Sequence, residues 1–148
     1  MTVEADSRAR LLLENVRNHM RAELREQLDP VMATLVDDPI YHFHGMPGFE
    51  TLRGRKAVAD YYRNMFAAGR MGAEFQVERI IADHDTVVTE GTMISLGGSP
   101  KKMGTDPLVG HMTSVIRTPL LVVWPAAADG RLIGENIYLG TAQHEELP

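Results

Sequence analysis

The spacing of apolar residues changes partway along the chain, and this change limits the fold more than any other feature. Over residues 7–28, Leu13, Val16, Met20, Leu24 and the Gln27/Leu28 step recur at three- to four-residue intervals. Arg17, Arg21, Glu23 and Arg25 take the other side, which predicts an amphipathic helix capped at Ser7. Asp29-Pro30 restarts a short helix over 30–36, because Asp suits a cap and Pro the first helical position. Asp37-Asp38-Pro39 ends it. A third helix over 55–68 follows Gly54, carries Val58, Tyr61, Tyr62, Met65 and Phe66, and stops at Gly69 and Gly72. From residue 74 onward the helical spacing is gone. Residues 74–82, 86–96, 111–124 and 131–140 read as strands, joined by an Asp83-His84-Asp85 turn and an Ala128-Asp129-Gly130 hairpin turn. Residues 40–44, IYHFH, form a further short strand before the Gly45–Gly48 loop. Residues 97–110, rich in Gly, Pro and Lys, are long enough for a lid or a mobile edge. Three helices followed by antiparallel strands predict an α+β fold, not alternating βαβ units.

Length and composition narrow the function classes. One domain over 1–148 is expected, since 148 residues suffice for a self-supporting core. With no cysteine, disulfides, thiolate metal sites and cysteine nucleophiles are excluded. The net charge of −5 and the lack of a basic patch argue against a nucleic-acid partner. The densest apolar stretch, 119–128, is about half a membrane span and is bracketed by prolines, so no membrane partner is expected. MTVEADSRAR is not followed by an apolar segment of signal-peptide type, and a cytoplasmic location is the expectation.

The string ATLVDDPIYHFHG…LRGRKAVADYYRNMF resembles the second and third helices of the nuclear transport factor two-like fold. VERIIADHDTVVTEGTM and DGRLIGENIYLG are similar to its central and last strands. Within that superfamily the chain looks most like SnoaL-like polyketide cyclases and ester-cyclase-type proteins, over residues 10–140. The resemblance implies three N-terminal helices packed in a cone against a strongly curved, mainly antiparallel sheet, a cystatin-like α+β barrel. It also implies an apolar pocket at the wide end, homodimers, a small hydrophobic ligand and no cofactor. Because ketosteroid isomerases, epoxide hydrolases, cyclases, dehydratases and proteins without chemistry share the fold, function rests on individual residues.

Strand alternation places Glu135, Ile137 and Leu139 on one face of the last strand. The resemblance puts the catalytic Asp of epoxide hydrolases and SnoaL-like cyclases at Ile137, and an Arg and an Asp of the hydrolases at Gly91 and Met93. The water-activating trio of those hydrolases is therefore absent. Glu135 remains as the inward carboxylate, either a general acid/base in an apolar pocket or the partner of an arginine such as Arg117. Tyr41 matches a tyrosine that orients water or substrate in epoxide hydrolases, and could equally be a packed core residue. Phe43 stands where ketosteroid isomerases keep their base. His19 falls near their oxyanion-binding tyrosine, at the edge of the apolar face of the first helix, where it could donate to an oxyanion or sit partly exposed. His42 and His44 point to one side of their strand, about 6.6–6.8 Å apart. They lack a clear third ligand, so no metal site is expected, although His44 could reach a pocket mouth. Glu135, Tyr41, His19 and His44 are thus the candidate catalytic residues. Met20, Phe43, Tyr62, Phe66, Met93, His111, Ile137 and Leu139 are the candidate ligand-contacting residues. Trp124, the single tryptophan, is expected in the core or at a dimer contact.

Two functions fit. One is a cofactor-free cyclase, isomerase or lyase acting on a small hydrophobic carbonyl-bearing or polycyclic molecule by proton transfer. The other is a small-molecule-binding or accessory protein that keeps the cone without chemistry.

Overall fold

The computed structural model describes residues 3–67, 74–97 and 114–146. Helix α1 spans Val3–Leu24, α2 Leu28–Ala33 and α3 Arg55–Ala67. The strands are β1 Leu35–His44, β2 Leu52–Arg53, β3 Glu74–Ala82, β4 Thr86–Gly97, β5 Ser114–Pro125, β6 Leu132–Leu139 and β7 Gln143–Glu146. The helices pack on a curved, unclosed mixed sheet ordered β2-β1-β6-β5-β4-β3, with β7 paired to β5. Among the described residues β1 and β6 run parallel and the other pairings are antiparallel. The expected α+β architecture is present.

The inward stripe of α1 differs from the expected one. Leu12, Val16, His19 and Ala22 are buried, whereas Leu24 is exposed. The stripe is turned by about one residue from the Leu13–Met20–Leu24 reading, and His19 moves from its edge to its centre. Helix and sheet together select which residues are covered, and a window of apolar spacing cannot resolve a rotation that small. Helix α1 ends with Glu26 at φ 55°, its N–H bonded to the Glu23 carbonyl and that of Gln27 to the Ala22 carbonyl. This is a Schellman-type end made without glycine, and it fixes the last turn that carries Glu23.

The second predicted helix is shorter than expected, and the strand after it longer. The helix ends at Ala33, and β1 begins at Leu35, opposite Leu132, five residues before the predicted start. An irregularity between Leu35 and Ile40 absorbs Asp37-Asp38-Pro39, so residues that looked like a stop signal sit within a bulged strand. Gly134 faces this bulge at φ 152°, and a Cβ there would collide with the Ile40 carbonyl oxygen. Glycine at 134 therefore allows β1 and β6 to approach closely, one residue before Glu135. Both predicted turns are present: Asp83 N–H bonds to the Thr86 carbonyl, and Gly130 N–H to that of Ala127. The short strands β2 and β7 escaped the sequence reading, being two and four residues long. The 98–110 part of the predicted loop and residues 111–113 of the predicted fourth strand lie outside the described residues.

Arg8 ties α1 to both turns, donating to the carbonyls of His84, Ala127 and Ala128 at 3.0, 2.6 and 2.7 Å. Trp124 is buried, and its indole N–H donates to Thr89 Oγ1 at 2.9 Å. It is a core residue with a satisfied donor, as a buried indole requires.

Candidate active site

The parallel β1–β6 register sets Tyr41 beside Glu135 and Phe43 beside Ile137 on the helix-facing side. The intervening pairs, His42 with Asn136 and His44 with Tyr138, face the opposite way. By strand alternation Tyr41 therefore points inward and both histidines outward, so His44 does not join the other candidates. His44 is exposed and stacks on the Tyr138 ring at 4.3 Å, away from the other candidates. His42 bonds Thr51 at 3.2 Å.

Three of the four candidate catalytic residues converge. His19, Tyr41 and Tyr62 are fully buried, and Glu135 is 5% exposed. His19 Nε2 lies 3.1 Å from Glu135 Oε1 and 2.9 Å from the Tyr62 hydroxyl. The Tyr41 and Tyr62 hydroxyls are 2.8 Å apart. The Tyr62 hydroxyl is 3.0 Å from Glu135 Oε1 and 2.7 Å from Glu23 Oε1. Arg117 is not the partner of Glu135: it is exposed and lies 4.0 Å from Glu145. Among the described residues no arginine or lysine pairs with Glu135; its charged partner is His19.

The histidine tautomer follows from its other side. Thr34 Oγ1 donates its proton to the Val31 carbonyl at 2.7 Å, so it can only accept from His19 Nδ1–H. Nε2 is thereby directed at the carboxylates. Burial opposes a charge on His19, but hydrogen bonds and charges from Glu135 and Glu23 outweigh it and raise its pKa from 6.5 to about 9. Glu135 is itself pushed upward, first by burial and then by the Glu23 charge, against the pull of His19 and Tyr41. The two shifts agree in sense: both groups hold their protons more tightly in the cluster than they would in water. Burial, with the two carboxylate charges, lifts both phenols well above 10, so Tyr41 and Tyr62 remain proton donors at neutral pH.

Met20, Phe43, Phe66 and Ile137, expected to contact a ligand, are partly buried against the core around this cluster. Phe43 and Tyr61 pack at 5.4 Å, and Phe66 lies 5.7 Å from Tyr62. Tyr62 is a member of the polar cluster itself. Met93 and Leu139 are partly buried in β4 and β6. His111 lies outside the described residues.

Two residues of the cluster went unrecognised in the sequence. Glu23 is one helical turn beyond His19, and that i,i+4 spacing was the available signal once His19 was known to face inward. Thr34 carried no local signal, since its role depends on where α2 ends relative to α1.

A family model described as the SnoaL-like domain matches residues 16–119, most of the chain. The chain belongs to the SnoaL-like domain family. Solved structures share the fold. An LEH-like epoxide hydrolase from M. tuberculosis is 27% identical, with a TM-score of 0.62, covering 93% of this chain and 85% of that one. An epoxide hydrolase/cyclase-like enzyme with a role in pyran ring formation in the polyether salinomycin is 13% identical, with a TM-score of 0.65 over 88% and 91% of the two chains. A computationally designed 17-OHP binder is 11% identical, with a TM-score of 0.65 over 91% and 96%. No curated protein matches the chain. This SnoaL-like protein carries Gly91, Met93 and Ile137 where the resemblance placed the hydrolase trio, and its buried titratable groups gather instead around His19 and Glu135. Among the described residues no helix is long and apolar enough to cross a membrane.

Proposed function

We propose that this SnoaL-like protein is a cofactor-free enzyme that moves a proton on a small hydrophobic carbonyl-bearing or polycyclic molecule. The observation that carries this reading is the Glu135 carboxylate, 5% exposed, with an imidazole and two phenols converging on it. Glu135 takes a proton from carbon or hydroxyl, and the electron pair left behind moves toward the substrate oxygen. Tyr41, Tyr62 and the His19 imidazolium are the donors available to that oxygen as charge develops. Ring closure, isomerisation or loss of water can follow, with the proton returned from Glu135. Epoxide hydrolysis is disfavoured because positions 91, 93 and 137 carry no carboxylate or guanidinium.

A second reading, a binding protein without chemistry, is supported by a different observation. Among the described residues every buried side-chain polar atom has a hydrogen-bond partner, so the cluster is stable as it stands. Incubation in D2O with a panel of cyclic ketones and polyketide-like phenols separates the two. The enzyme reading expects deuterium uptake or conversion in at least one compound that also raises the melting temperature. Ligands that raise it with neither deuterium uptake nor conversion would leave the binding reading.

We further assign the outer sheet face to contact with a second copy of the chain. Ile81, Val88 and Val123 form an apolar row across β3, β4 and β5, with the exposed ring of Tyr138 on β6 nearby. Sedimentation at micromolar concentration is expected to show twice 16.4 kDa. A 16.4 kDa species throughout would remove the assignment.

A further inference from the structure

Glu23 differs from the rest of the cluster in one respect. Its side chain is 21% exposed, whereas His19 is fully covered and the Glu135 side chain nearly so. It is therefore the member in contact with water. Its Oε1 lies 2.7 Å from the Tyr62 hydroxyl, which is in turn 3.0 Å from Glu135 Oε1. A second path runs through His19 Nε2, 3.1 Å from Glu135 Oε1 and 3.6 Å from Glu23 Oε1.

We propose that Glu23 is the relay residue that passes protons between solvent and Glu135 by way of the Tyr62 hydroxyl. The proposal rests on the proton-transfer reading of the site. A phenol has one proton and can donate to one carboxylate at a time. When protonated Glu135 donates to the Tyr62 oxygen, Tyr62 gives its own O–H proton to Glu23. Glu135 becomes a carboxylate, Tyr62 stays neutral, and Glu23 becomes a carboxylic acid that loses its proton to water. No free phenolate forms, in keeping with a phenol whose ionisation is opposed by burial and then by both carboxylates. His19 Nδ1–H is committed to Thr34, so Nε2–H is the ring proton that can leave. The Schellman-type end after Leu24 fixes the turn that carries the partly exposed Glu23.

The test needs no substrate. In protein labelled with 15N-histidine, exchange of the His19 Nε2 proton with water is read by saturation transfer near neutral pH. Glu23→Gln keeps an acceptor for Tyr62 but cannot carry the proton, and is expected to slow exchange by about tenfold or more. Glu23→Ala is expected to slow it similarly, and added formate to restore it, because the gap left at a partly exposed position admits a small carboxylate. Exchange within about twofold of the parent protein in Glu23→Gln would overturn the proposal. So would a loss in Glu23→Ala that formate does not restore, since a packing role gives no such rescue. If a substrate is later found whose turnover ignores Glu135, the enzymatic reading fails while the exchange result stands.

Discussion

Glu135→Gln is expected to lower turnover by about 10²–10⁴-fold on a substrate that the protein converts, the usual contribution of a positioned acid or base. Gln fills the same volume and can accept from Tyr62, so ligand affinity should change little, although the melting temperature should fall because the buried His19 loses its charged partner. What it removes is the ability to take up a proton. KM is expected to stay within a few-fold while kcat falls, because the lost interaction belongs to the transition state. The pH profile of the parent protein should report a group above the ordinary Glu range, since burial and the Glu23 charge raise Glu135. Measured kcat within about threefold of the parent value would remove Glu135 from the chemistry and leave the binding reading in its place.

The second large effect is on stability. His19 titrates at about 9 in the folded chain against 6.5 when unfolded. The folded state therefore holds a proton over this interval that the unfolded state has released, and the stability it contributes is complete below about 6.5. It is lost as pH rises toward about 9. Glu135 acts in the same direction, because its folded form is also the more readily protonated. The melting temperature is expected to fall by at least about 5 °C between pH 6.5 and 9.5. His19→Gln removes the titrating group, so its curve should start lower and be flatter over the same range. Asp60, Asp83 and Asp129, whose carboxyls are held low by neighbouring cations and hydrogen bonds, are solvated and act only toward acid pH. A parent protein whose melting temperature is level or rises from pH 6.5 to 9.5 would contradict a proton held between His19 and Glu135.

These two expectations draw on different parts of the chain's legibility. Alternation sorts Glu135, Ile137 and Leu139 to one side of their strand, and the resemblance, which puts a catalytic Asp at Ile137, turned that side inward. Tyr41 and His19 entered through the resemblance, and the structure brings both to Glu135. His44 looked equally available, yet it lies across the sheet from them, stacked on Tyr138. Nothing in IYHFH fixes which side faces the helices; the parallel pairing with β6 does.

The sequence by itself determined the order of the longer helices and strands, both tight turns, the absence of thiol chemistry and the grouping of Glu135 with Ile137 and Leu139 on one strand face. Those are local properties, set by apolar period, by turn residues and by composition. The tertiary structure alone decided the rotation of α1, which puts His19 at the centre of the buried stripe and Glu23 at its partly exposed edge. It also decided the pairing of Glu135 with His19 instead of Arg117, and the role of Thr34 in directing Nε2. Each depends on side chains far apart in the chain meeting across a sheet and three helices. Their protonation follows from burial and from how closely Glu23 approaches Glu135 and His19, which no local window of sequence contains.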